Sequence, residues 1–188
     1  MDEPDRSPMP PKEADDQPPP SRNAHGAPCT IEIDLQDASG SLAPTQLNEL
    51  NAMISRVLAL LPNNGSVRVR IVADAEMIAA HQRFSNIATT TDVLTFDMAH
   101  DDHDFENKSL DTDLIVCVDE AARQAHLRNH RAIDELLLYT IHGVLHCLGY
   151  DDHDEHEYQR MHNREDELLQ LAGFGAIFNT QAQTENAS

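Results

Sequence analysis

The segment RAIDELLLYTIHGVLHCLG, residues 131–149, constrains this 188-residue chain more than any other. Ile133, Leu136, Leu137, Leu138, Tyr139, Ile141, Val144, Leu145 and Leu148 leave almost no polar face beyond the first turn. A helix that is apolar nearly all round has to be buried, so the rest of the chain must cover it on more than one side. His142 and His146 interrupt the apolar run, which is too short to cross a bilayer.

Around this helix the periodicity predicts alternating elements. CTIEIDL (29–35) alternates Ile31, Ile33 and Leu35 with polar residues, as a half-buried strand does. TQLNELNAMISRVLALL (45–61) has helical spacing, with Pro44 before it and Pro62 after it. SVRVRIVAD (66–74) puts Val67, Val69 and Ile71 on one face, Arg68 and Arg70 on the other. A short helix is expected over 75–84, a strand over TDVLTFDM (91–98), an acidic loop over 99–111, and a strand over TDLIVCV (112–118), buried on both faces. Helices follow over 119–129, 131–149 and 154–172, the last opening on Asp154 with Glu157 three residues on, a capping-box pattern. The order predicts a single α+β domain: one mixed sheet of about four strands, packed with helices around a central buried helix that carries the histidines.

Those histidines carry the chemistry. His142 and His146 stand four residues apart, on one face of a rigid helix, and can aim two ring nitrogens at one ion. Catalytic zinc sites take three protein ligands and leave a position open. The third ligand has to come from beyond the helix. Gly149 can reverse the chain there, and the turn YDDH returns Asp152 and His153 toward the histidine face. Zinc accepts carboxylate as well as imidazole, and both residues are candidates. His156 and His162 read as exposed positions of the last helix, and His100 and His103 as members of the acidic loop. No residue is assigned as general base; Asp151 and Asp152 are near by sequence alone.

Eight of the ten prolines fall in residues 1–28, among polar and charged residues, and this segment reads as a disordered tail. Residues 29–178 read as the domain and 179–188 as a frayed end. The amino-terminal residues show no secretory pattern. Cys29, Cys117 and Cys147 are an odd number at wide spacing, which fits buried apolar roles in a reducing cytoplasm. The net charge of −20 runs against a nucleic-acid partner, which ordinarily meets a basic face.

HGVLHCLGYDDH (142–153) resembles the H-G-x-L-H-x-x-G-Y-D-H signature of the YbeY family of bacterial metal-dependent endoribonucleases. TTDVLTF (90–96) resembles that family's P-T-D-V-L-S-F strand, DTDLIVCVDEAARQA (111–125) its G-D-I-V-I-C strand and following helix, and MHNREDELL (161–169) its last helix. The resemblance implies an α+β fold with one zinc per chain on three histidines. It implies single-strand endoribonuclease activity in small-subunit rRNA 3′-end maturation and ribosome quality control. The partners it implies are rRNA and the small ribosomal subunit; the acidic charge adds ribosomal proteins as partners, and no apolar run is long enough to predict a membrane. His142 and His146 match the first two ligands. The third histidine of the pattern falls at Asp152, with His153 one residue later, and His153 is the expected ligand because imidazole is the family's choice. The family's arginine about eleven residues before the strand's phenylalanine falls at Ser85, with Arg83 two residues away. Two other functions are weighed against this one. A zinc peptidase would carry a glutamate after the first histidine, where Gly143 stands here. A zinc-stabilised, non-catalytic module that binds the ribosome would suit the acidic charge, because ribosomal proteins present basic surfaces.

Overall fold

The structure is a computed structural model and describes residues 30–99 and 109–175. The element order follows the sequence periodicity: β1 (Ile31–Asp37), α1 (Pro44–Leu58), β2 (Gly65–Val72), α2 (Asp74–Ser85), β3 (Val93–Asp97), β4 (Leu110–Cys117), α3 (Val118–Arg128), α4 (Ala132–Cys147) and α5 (Glu155–Leu171). The expected tails and the acidic loop fall largely outside the described residues, as do Cys29, His100 and His103.

The four strands form one mixed sheet in the order β1-β2-β4-β3. β1 and β4 run parallel to β2, and β3 closes the sheet antiparallel to β4. On β2 the alternation works as the sequence implies. Val67, Val69 and Ile71 are buried with Leu114 and Val116 of β4. On the opposite face Arg68 pairs with Asp111 and Asp113. β4 differs from the expectation of burial on both faces: Ile115 is only half-buried and Asp113 is tied to Arg68. The reason is coverage. On that second face a small cluster of Val72, Met77 and Cys117, with Leu94 and Ile115 against it, covers only one end. The remainder is an open groove of about 480 Å³, walled by Arg68, Arg70, Phe84 and Phe96, that contains none of the histidines.

α4 is the centre of the main core. Leu136, Leu137, Ile141, Val144 and Leu145 are all buried in one cluster with α1, α5 and the inner sheet face. The helix can lie close on β3 and β4 because of Gly143. A Cβ there would stand 2.7 Å from Leu114 Cδ2 and 2.9 Å from Thr95 Oγ1. Gly143→Ala is therefore expected to destabilise the fold by about 1–3 kcal/mol through overpacking, read as a lower urea midpoint at unchanged slope. A midpoint equal to wild type would show that the helix-to-sheet spacing is not set at this residue.

α4 ends at Cys147, and Gly149 follows with φ of +86°, the left-handed conformation that turns the chain back. Asp154 then caps α5 by accepting from the backbone N–H groups of His156 and Glu157. The Glu157 carboxylate accepts from Arg160. The α5 start is thus a side-chain N-cap with an i,i+3 ion pair beside it.

Candidate metal centre

One turn of α4 separates His142 and His146, and their rings meet edge to face with centroids 4.6 Å apart. Each ring has its Nδ1 engaged. Nδ1 of His142 lies 2.7 Å from Oε1 of Glu165, and Nδ1 of His146 lies 3.1 Å from the carbonyl oxygen of Tyr150. An ionised carboxylate and a carbonyl only accept, so both Nδ1 atoms carry the hydrogen. In the neutral rings this leaves two Nε2 lone pairs, and the two Nε2 atoms face each other at 3.0 Å. Two lone pairs at that distance repel unless a cation or proton lies between them. A histidine whose Nδ1–H is held by a carboxylate or carbonyl, with Nε2 presented outward, is the usual state of an imidazole metal ligand.

The third donor at this point is Asp152. Its Oδ2 lies 3.8 Å from Nε2 of His142, and its Oδ1 lies 4.0 Å from Nε2 of His146. His142, His146 and Asp152 together form a half-buried group suited to a metal ion. The turn after Gly149 does bring one ligand-type residue back to the pair, as the sequence implies, but the side chain it brings there is Asp152. His153 lies on the outer side of Asp152, with its Nδ1 3.9 Å from Oδ1 of Asp152. It is 86% exposed, its Nδ1 bonds to Asp151, and with Asp151 and Asp152 it forms a second, more exposed group that shares Asp152 with the first. The hydrogen bond with Asp151 raises the His153 pKa and lowers that of Asp151.

His162 departs from its expected exposed position. It is buried, its ring lies parallel to that of His142 at 6.0 Å, and its Nδ1 is 2.6 Å from Oε2 of Glu165. Glu165 is fully buried and holds one imidazole on each carboxylate oxygen. Burial opposes ionisation of Glu165, but the hydrogen bonds and charges of His142 and His162 outweigh it and lower its pKa. For His142 burial likewise opposes protonation, and the Glu165 hydrogen bond and charge, with Asp92 and Asp152, outweigh it and raise its pKa. Glu165 carried a sequence signal. It stands four residues after Met161 and three before Leu168, on the apolar stripe of α5, where a carboxylate requires a buried partner.

The model of the family described as endoribonuclease YbeY matches residues 34–173. The chain belongs to the YbeY family. Among curated members, an endoribonuclease YbeY of Macrococcus caseolyticus is 34% identical over 148 residues, covering 76% of this chain and 96% of that protein. One from Chloroflexus aurantiacus is 32% identical over 151 residues, covering 77% and 96%. One from Bifidobacterium animalis subsp. lactis is 36% identical over 143 residues, covering 74% and 78%. The match spans the sheet, the α4 histidines and α5 alike. Among the described residues no helix is long and apolar enough to cross a membrane.

Proposed function

We propose that this chain is a metal-dependent endoribonuclease that cleaves single-stranded RNA, with one zinc ion per chain, acting in 3′-end maturation of small-subunit rRNA and in ribosome quality control in the cytoplasm. The observation that carries the metal is the pair of Nε2 atoms facing each other at 3.0 Å with both Nδ1 atoms already engaged. The reaction class comes from the family, whose curated members are named endoribonucleases. When bound, zinc acidifies water toward neutrality and polarises a phosphoryl oxygen, either of which favours phosphodiester cleavage.

His142 and His146 are two ligands in this reading, and the turn supplies the third. The distances to the pair favour Asp152. The family pattern of three histidines favours His153, which reaches the pair only if the turn rotates. The two are separated by metal analysis of purified variants. Asp152→Ala is expected to release the metal, whereas His153→Ala retains one ion per chain. The reverse result would make His153 the ligand and the turn mobile.

Peptidase activity is disfavoured by packing as well as by composition. Position 143, where a zinc peptidase places its glutamate, faces Leu114, Thr95 and Val93 of the sheet, and a Cβ there would stand 2.7 Å from Leu114 Cδ2, so a side chain at 143 would press on the sheet. The charge of −20 implies weak binding of free RNA, because phosphate contacts rely on basic residues to displace counterions. It also fits a substrate presented on the ribosome, where basic ribosomal proteins meet the acidic surface. The test uses the full chain on single-stranded RNA, on small subunits with unprocessed 3′ ends and on casein, with and without chelator. Chelator-sensitive cleavage of the RNA substrates and none of casein is expected. Stoichiometric metal without cleavage of either RNA would favour a metal-stabilised, ribosome-binding module instead.

A further inference from the structure

A second cleft, of about 340 Å³, includes Thr91, Asp92, Glu120, Gln124, Arg128 and Tyr139 in its lining. Its volume is at the lower end of the range for small-molecule sites, roughly 300–1,000 Å³. Tyr139 precedes His142 by three residues, so the two share a face of α4. The charge of Asp92 acts on both of them. Through Tyr139 the cleft lies about one helical turn along α4 from His142.

Two polar atoms in the lining have no partner among the described residues. Tyr139 is 5% exposed, and its hydroxyl makes no hydrogen bond. Arg128 donates through Nη1 to both oxygens of buried Glu135, at 2.9 and 3.2 Å, while its Nε is buried and unpartnered. Burial, then the charges of Glu135 and Asp92, push the Tyr139 pKa far above the usual phenol range. At neutral pH the hydroxyl is thus a donor, and each unmet buried donor costs about 1–3 kcal/mol. The same lining carries acceptors. Asp92 is held through Oδ1 by Thr91 at 2.9 Å, and Glu120 is held by Gln124 at 2.7 Å and Arg123 at 2.8 Å.

A phosphate would meet two carboxylates here and be repelled. A neutral group with donors and acceptors along one edge would not. Guanine fits best among the bases. Its O6 and N7 are adjacent acceptors that suit a guanidinium, and its N1–H and N2–H₂ are adjacent donors that suit a carboxylate. We propose that this cleft is a nucleobase subsite, selective for guanine, that seats a nucleotide flanking the scissile phosphate. Its place in cleavage rests on the endoribonuclease reading, whereas base binding in the cleft does not.

The test measures binding without cleavage. Guanosine, inosine, adenosine, cytidine and uridine are titrated into the metal-loaded full chain and followed by NMR. Guanosine is expected to bind most tightly. Inosine lacks the N2 amino group and is expected to bind several-fold more weakly. Tyr139→Phe, which keeps the ring and its packing, is expected to weaken guanosine about tenfold by removing one donor. Equal binding of inosine and guanosine, no binding of any nucleoside, or full guanosine affinity in a folded Tyr139→Phe protein would overturn the subsite. The inosine comparison uses wild-type protein and decides the matter even if the variant does not fold. Guanosine binding with no RNA cleavage would overturn the endoribonuclease reading alone. RNA cleavage with no nucleoside preference would overturn the subsite alone.

Discussion

Replacing His142 with alanine is expected to remove bound metal and RNA cleavage together. The change deletes one of two facing Nε2 donors and leaves the other with a single carboxylate across a gap of 4.0 Å. Loss of a supporting group outside the ligand set already costs about 10–100-fold in metal affinity, so loss of a ligand should exceed that. Because a ligand bound only by the folded state stabilises it, wild type should melt higher with metal than with chelator. At a thousandfold excess over the dissociation constant that gain is about 4 kcal/mol. In His142→Ala the difference should vanish. Metal per chain by mass spectrometry, melting with and without chelator, and cleavage of a single-stranded RNA give three readings of one cause. A His142→Ala protein that keeps one ion per chain and the wild-type melting shift would place the metal elsewhere, and the group at Asp151, Asp152 and His153 would be the next candidate.

The sequence exposed α4 and its pair because both signals are local. Apolar residues all round a helix require burial, and histidines at i and i+4 must share a face whatever surrounds them. The mixed sheet was legible from the succession of strands and helices along the chain, whereas the strand order β1-β2-β4-β3 was not, because it depends on which strands pair across long separations in sequence. The third ligand was not legible in the same way. Asp152 and His153 are adjacent, and which one faces the pair depends on the dihedral angles between Gly149 and Asp154, which ligand-type composition does not specify. The burial of His162 is hidden from the sequence for a related reason. This histidine stands between Met161 and Asn163, at the edge of the apolar stripe of α5, and its burial comes from Tyr158 of the same helix at 4.1 Å and His142 of α4 at 6.0 Å between ring centroids. Tyr139 was visible only as one more apolar position on α4. Its unpaired hydroxyl becomes apparent once Asp92, from the strand-side loop, and Arg128, from the end of α3, stand around the same cleft.

Removing the carboxylate of Glu165 should have the largest effect on stability of any single change near the site. Glu165 is buried on α5 and is the shared acceptor for Nδ1 of His142 at 2.7 Å and of His162 at 2.6 Å. Breaking a buried ionic pair by deleting one member costs about 3–5 kcal/mol, because the remaining polar groups stay out of water without partners. Glu165→Ala is therefore expected to lower stability by about that amount, measured by urea unfolding of metal-free protein near pH 7. Glu165→Gln keeps the volume, but its amide NH₂ would face one of the two imidazole N–H groups, so an intermediate loss follows. The pH dependence has a definite sign. The folded pKa of Glu165 lies below its ordinary value, so its contribution is complete above the ordinary glutamate range and is lost as pH falls through the folded value. The gap between wild type and Glu165→Ala should accordingly narrow on acidification. The same carboxylate fixes the His142 tautomer, so metal affinity should also fall about 10–100-fold in both variants. If Glu165→Ala unfolds at the wild-type urea midpoint and binds metal as tightly as wild type, Glu165 neither supports the core nor orients His142, and the tautomer argument for the facing Nε2 atoms would have to be abandoned.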